Sequence, residues 1–99
     1  MSNEIVKDQQ IHTLLSSYTA EQRLASFLLS LSARYARCQL SPERFILHMT
    51  RSDIGEYLGL TLETVSRVFS GLHKKEIILV KSREIEISDM SKLKAIVGE

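Results

Sequence analysis

The chain has 99 residues, a formal net charge of +1, 43% hydrophobic and 25% charged residues, values that suit one small globular domain. Near-neutrality counts against a broad electrostatic grip on nucleic acid, so any such contact must come from local charge placement. The single cysteine, Cys38, excludes an internal disulfide and fits a reducing cytoplasm. No apolar run approaches membrane-spanning length, and the start lacks a secretory signal pattern.

Residues 2–16 read as a helix. Met1, Ile5, Asp8, His12 and Leu15 recur at alternating four- and three-residue spacing, a short heptad seam with a carboxylate in it. Glu4, Asp8, Ile11 and Leu15 form a competing seam, so the register stays open. One reading is a frayed terminal helix packing Leu14 and Leu15 on the domain; the other is the tail of a dimerisation helix. In a parallel dimer the two Asp8 side chains face each other, and like charges weaken the pairing.

Thr19 is placed to cap a second helix over residues 20–37, with Glu21 and Gln22 in its first turn. Leu24, Phe27, Leu28, Leu31 and Tyr35 form its apolar stripe, which predicts the central core helix. Arg23 reads as a surface arginine with its stem along apolar neighbours, or as an internal ion-pair partner. Arg34 and Arg37 sit where the helix dipole favours cations. Residues 39–44 contain the only proline, Pro42, and read as a loop. Residues 45–49 alternate in polarity and predict a short strand with His48 on its face.

The stretch over residues 50–75, TRSDIGEYLGLTLETVSRVFSGLHKK, predicts two short helices and a tight turn. Thr50 and Asp53 have capping-box spacing. Ile54, Tyr57 and Leu58 are apolar at helical spacing. Gly55 weakens a helix by about 1 kcal/mol relative to Ala, a loss that close approach of a second helix explains. Gly59 fits a left-handed C-terminal position, and Thr61 caps the next helix. There Val65, Val68, Phe69 and Leu72 make one apolar stripe, while Glu63, Ser66, Arg67 and Ser70 share a polar face. A small residue at the crossing, a glycine in the turn and a β-branched anchor together predict a helix-turn-helix.

His73, Lys74, Lys75 and Glu76 end that helix, with the two lysines read as solvated. Residues 77–80 and 84–87 predict a two-stranded wing with Lys81, Ser82 and Arg83 at its tip. Asp89 caps a last short helix, with Leu93, Ile96 and Val97 packing back. The expected fold class is therefore mainly α with a small β wing, a winged helix-turn-helix.

The segment TRSDIGEYLGLTLETVSRVFSGL resembles the helix-turn-helix of the Crp/Fnr superfamily of bacterial transcription regulators. Glu63, Ser66 and Arg67, in the order E-x-x-S-R, resemble the fumarate-and-nitrate-reduction regulator branch. The cyclic-AMP receptor protein branch usually has Arg where this chain has Leu62. The likeness extends upstream through AEQRLASFLLSLSARY and downstream through LVKSREIEI, roughly residues 20–87. It favours residues 1–17 as the tail of a dimerisation helix and implies residues 18–91 as a Crp-type winged helix-turn-helix; residues 92–99 remain, read from their own pattern, as a C-terminal helix. It further implies a homodimer in the intact protein, palindromic DNA with TTGAT-type half-sites, and RNA polymerase as a partner; the facing Asp8 side chains predict only a weak dimer or monomer for this stretch alone. Any iron–sulfur cluster is implied only for an upstream sensory domain, with no cofactor expected in these residues.

The chemistry of the polar face fits double-stranded DNA. Arg67 can donate a bidentate pair to guanine, Glu63 can accept from cytosine N4, and Ser66 can serve a thymine edge. A structural alternative for Glu63 and Arg67 is an i,i+4 ion pair of about 0.2–0.5 kcal/mol. Thr50, Arg51 and Ser52 at the first helix, Thr61, Thr64 and Ser70 around the polar face, and Lys81 and Arg83 on the wing are the expected DNA-backbone contacts. His12, His48, His73 and Cys38 lack metal-ligand spacing, and no nucleophile, base and orienter declare themselves, so no enzyme is expected. A winged-helix protein-interaction module is the competing reading, favoured by the small net charge.

Overall fold

The computed structural model describes residues 18–98. The dimerisation-helix reading of residues 1–17 lies outside the described residues. The order of elements is α1 (Ala20–Arg37), β1 (Arg44–Ile46), α2 (Arg51–Leu58), α3 (Leu62–Lys74), β2 (Ile78–Lys81), β3 (Glu84–Ile87) and α4 (Met90–Ile96).

Each helix begins where a short polar side chain replaces a missing backbone acceptor. Thr19 accepts from the Gln22 amide while Gln22 Oε1 accepts from the Thr19 amide, a reciprocal capping box. Thr50 and Asp53 do the same for α2. Thr61 caps α3 through the Thr64 amide, and Asp89 caps α4 through the Lys92 amide. Each such cap stabilises its helix by about 1 kcal/mol.

The core forms where the apolar faces of α1, α2, α3 and α4 meet the inner face of the sheet. Leu24, Leu28, Ile54, Val65, Leu72, Ile78, Ile85 and Leu93 are fully enclosed. Phe69 is buried beside them, whereas Val68, Leu31 and Tyr35 pack at the margin of this cluster. Tyr57 corrects the apolar reading of α2: it is 68% exposed, with its ring centroid 6.0 Å from that of Phe27. An eight-residue helix has room for only a narrow buried stripe, and Ile54, Gly55 and Leu58 occupy it.

The wing is one strand larger than the sequence predicts. β1 joins β3 as well as β2 does, giving a three-stranded antiparallel sheet of order β1-β3-β2. Phe45 pairs with Ile85, and Val80 pairs with Ile85 from the other side. β1 is shorter than expected, ending at Ile46, and His48 lies beyond it in the loop to α2. At the hairpin tip only Ser82 of the two loop residues has positive φ, at 56°, the sign pattern of a type II′ turn. α4 closes the fold on α1, where the Gln22 side-chain amide donates to the Ile96 carbonyl at 3.2 Å.

Candidate nucleic-acid interface

The turn between α2 and α3 sets the geometry of everything that follows. Gly59 ends α2 with φ 74° in the left-handed region, and its amide donates to the Gly55 carbonyl. The Leu60 amide donates to the same carbonyl at 2.7 Å. A Cβ at Gly55 would stand 2.5 Å from the Leu60 carbonyl oxygen. The expected close approach is thus real, and the intruding group is the backbone of the turn. Arg23 adds a contact that sequence reasoning missed. Its guanidinium, from α1, donates to the Leu58 carbonyl at 3.1 Å, one of the orphan carbonyls at the α2 C-terminus. The polar residue on an apolar helix was the available signal, but its partner lies 35 positions away.

On α3 the two faces separate as the spacing predicts. Val65, Phe69 and Leu72 are buried. Glu63, Arg67 and Ser70 are exposed, and Ser66 is half-buried. Glu63, Ser66 and Arg67 therefore lie on the solvent side of the first two turns. The Glu63–Arg67 ion pair, the structural alternative to base reading, does not form; the ion pairs among the described residues are Arg44–Glu86 and Lys75–Glu21. The spacing of Glu63 and Arg67 fits an i,i+4 pair, but Arg67 turns instead toward the Thr64 hydroxyl at 3.4 Å. Thr64 in turn accepts from the Thr61 hydroxyl at 2.9 Å. Lys75, read as solvated, is exposed but bridges to Glu21 at 3.1 Å.

The residues expected at a DNA backbone fall into separate groups. Thr50, Arg51 and Ser52 stand at the start of α2, with Thr50 Oγ1 occupied as a cap acceptor. The Arg51 guanidinium lies over the Phe69 ring, 5.1 Å from its centroid, which holds a cation beside α3 without neutralising it. Thr61 and Thr64 are at the N-terminus and in the first turn of α3, and Ser70 is exposed in its third turn. Lys81, the last residue of β2, and Arg83, in the loop after it, are exposed.

An open groove of about 580 Å³ runs beside α3, and Arg51, Arg67, Ser70, His73, Lys74 and Val80 line it. Among the described residues no Asp or Glu contributes to its lining, so cations outnumber anions there although the chain is almost neutral. His73 is the second residue the sequence reading passed over. Its Nδ1 accepts from the Val80 amide at 3.1 Å, tying the end of α3 to β2. Among the described residues no group of three or more His, Cys, Asp or Glu gathers to hold a metal. No described helix is long and apolar enough to cross a membrane.

Comparison with known proteins supplies independent ground. Residues 22–96 match the Crp-like helix-turn-helix domain family. The chain is 49% identical over 98 residues to the fumarate and nitrate reduction regulatory protein of Vibrio cholerae, covering 99% of this chain and 39% of that protein. It is 46% identical over 99 residues to the transcriptional regulatory protein btr of Bordetella pertussis, covering 100% of this chain and 41% of that protein. The chain thus spans about two fifths of the length of these relatives. Among solved structures, FixK2 from Bradyrhizobium japonicum superposes with a TM-score of 0.82 at 36% identity, over 98% of this chain and 48% of that one. Capped helix pair, glycine turn, wing and sequence match converge: the chain belongs to the Crp/Fnr family, as its Crp-like helix-turn-helix domain.

Proposed function

We propose that this domain recognises a specific double-stranded DNA sequence within a bacterial transcription regulator, laying α3 in the major groove. The observation that carries the reading is the solvent-facing set Glu63, Ser66 and Arg67 on the first turns of α3, without an ion pair among the described residues and with no part in the core. In this motif those turns reach base edges. Arg67 reads guanine, Glu63 accepts from cytosine, and Ser66 meets a thymine. Thr50, Arg51, Ser52, Thr61, Thr64, Ser70, Lys81 and Arg83 fix the domain against the sugar-phosphate backbone. Likeness to the fumarate-and-nitrate branch supports TTGAT-type half-sites in a palindrome, occupied by a homodimer of the intact protein that engages RNA polymerase in the cytoplasm. The reading gives the domain no reaction to catalyse, and it leaves any iron–sulfur sensing to a sensory domain outside these residues.

Fluorescence anisotropy of a labelled TTGAT palindrome, against scrambled duplex, tests this. Three backbone cations, Arg51, Lys81 and Arg83, predict a slope of log K against log salt of about −2.7 per domain. That is a roughly 40-fold loss between about 50 and 200 mM salt. Preference for another duplex in a wider screen would keep the DNA reading and replace the half-site. No duplex binding by the folded chain, or by a forced dimer, would sink it. The small net charge then favours the second reading, a winged-helix protein-interaction module.

A further inference from the structure

The groove beside α3 holds an imidazole whose two nitrogens have different duties. The Val80 amide points an N–H at His73 Nδ1 across 3.1 Å. An approaching donor requires that nitrogen to be unprotonated, so the neutral ring carries its proton on Nε2. Nε2 has no hydrogen-bond partner among the described residues, and the side chain is exposed. His73 follows Ser66 by seven positions and Ser70 by three, which puts it on their side of α3 one turn further along. Its neighbours in the groove include Arg51, Arg67 and Lys74, with no carboxylate among the described lining residues. A fixed N–H donor among uncompensated cations is suited to an anion.

From this arrangement we propose that the groove receives a phosphate of the DNA backbone and that His73 Nε2–H donates to it. The wing sets up this contact: Val80 holds the ring in the tautomer that leaves the donor free. His73 is then a DNA-backbone residue beyond those named above, and β2 acts on DNA through it. The inference rests on the DNA-binding reading and adds a residue and a mechanism to it.

Two substitutions separate the nitrogens. His73→Asn keeps an acceptor at the reach of Nδ1 for the Val80 amide and removes the donor at the reach of Nε2. His73→Gln places an amide N–H near the Nε2 position and gives up the wing bond. Binding of the wild-type chain to its preferred duplex is measured first, and failure there falls on the DNA reading alone. Both variants are then titrated with that duplex and with copies carrying one neutral methylphosphonate at a time, and imidazole nitrogen NMR reads the tautomer of the free wild-type chain.

The expected results are the Nε2–H tautomer, an affinity loss of about 3- to 10-fold for His73→Asn, and a smaller loss for His73→Gln. At one methylphosphonate position the wild-type and His73→Asn affinities should converge, the non-additivity that marks a direct partner. Misfolding does not produce this order, because His73→Gln is the variant that loses the bond to the wing. The Nδ1–H tautomer, equal losses in the two variants, unchanged affinity of His73→Asn, or a His73→Asn deficit that persists at every methylphosphonate position would each overturn the proposal.

Discussion

Adding one methyl group at Gly55 and one at Gly71 should move stability in opposite directions. Both residues lie inside helices, so each alanine gains about 1 kcal/mol of helix propensity. At Gly55 the new Cβ stands 2.5 Å from the Leu60 carbonyl oxygen, 3.4 Å from its carbon and 3.5 Å from the Thr61 carbonyl carbon. The first distance is roughly 1 Å short of a comfortable non-bonded separation. The obstacle is backbone, and the Leu60 amide bond to the Gly55 carbonyl pins it, so no side-chain rotation relieves the clash. Overpacking of this kind costs about 1–3 kcal/mol. Because a pinned main chain belongs at the upper part of that range, the net loss for Gly55→Ala is about 1–2 kcal/mol. For a domain of this size that lowers Tm by about 4–16 °C. At Gly71 a Cβ meets nothing within 4 Å, so Gly71→Ala should gain up to about 1 kcal/mol. Thermal and urea unfolding followed by far-ultraviolet circular dichroism compare the two directly. Gly55→Ala as stable as the parent, or a shift of the same sign in both variants, would refute the packing account of the turn.

Other perturbations probe single contacts. Thr50→Ala removes the acceptor of the Asp53 amide and strands half of the α2 capping box, for an expected loss of about 0.5–2 kcal/mol in urea unfolding. Arg23→Met keeps the apolar stem and removes the donor to the Leu58 carbonyl; a loss of about 0.5–1.5 kcal/mol is expected, with faster amide exchange centred on Gly59 and Leu60. Arg67→Ala should weaken binding to the preferred duplex by about 1–3 kcal/mol and relax the choice of base at one position. An equal loss on scrambled DNA would remove Arg67 from base reading.

Local features of this fold could be read in the sequence because their causes are local. Thr19, Thr50, Thr61 and Asp89 each cap a helix that begins one residue later, and a cap needs only its own next three residues. Gly59 adopts the positive φ its position requires. The buried face of α3 follows from spacing alone. What escaped the reading depends on partners distant in the chain. Phe45 finds Ile85 across the sheet, a pairing that a three-residue strand does not announce. Arg23 reaches a carbonyl of α2, and His73 reaches an amide of β2. In each case the residue type hinted at a polar partner, while only the folded chain decided which one. The Glu63–Arg67 alternative shows the opposite limit: its spacing permits contact, but in water such a pair is worth so little that a neighbouring hydroxyl suffices to redirect the arginine.

The same separation of local from bulk behaviour resolves the conflict between a net charge of +1 and the proposed DNA partner. Arg44 and Lys75 are matched by Glu86 and Glu21 at 3.5 and 3.1 Å. Neither of these cations lines the groove beside α3. Arg51, Arg67 and Lys74, which do line it, have no ion-pair partner among the described residues, and neither have Lys81 and Arg83 of the wing. Where these cations are held at all, the holders are neutral: the Phe69 ring under Arg51 and the Thr64 hydroxyl beside Arg67. A neutral holder orients a guanidinium and leaves its charge available, whereas a carboxylate would have to be displaced before a phosphate or base edge could take its place. Averaging over the whole chain hides this sorting. On the proposed function, small net charge suits a selective reader. With weak long-range attraction, non-specific duplex gains little, and affinity then depends on the few side chains whose geometry the capped helices and the Gly55 turn fix in place.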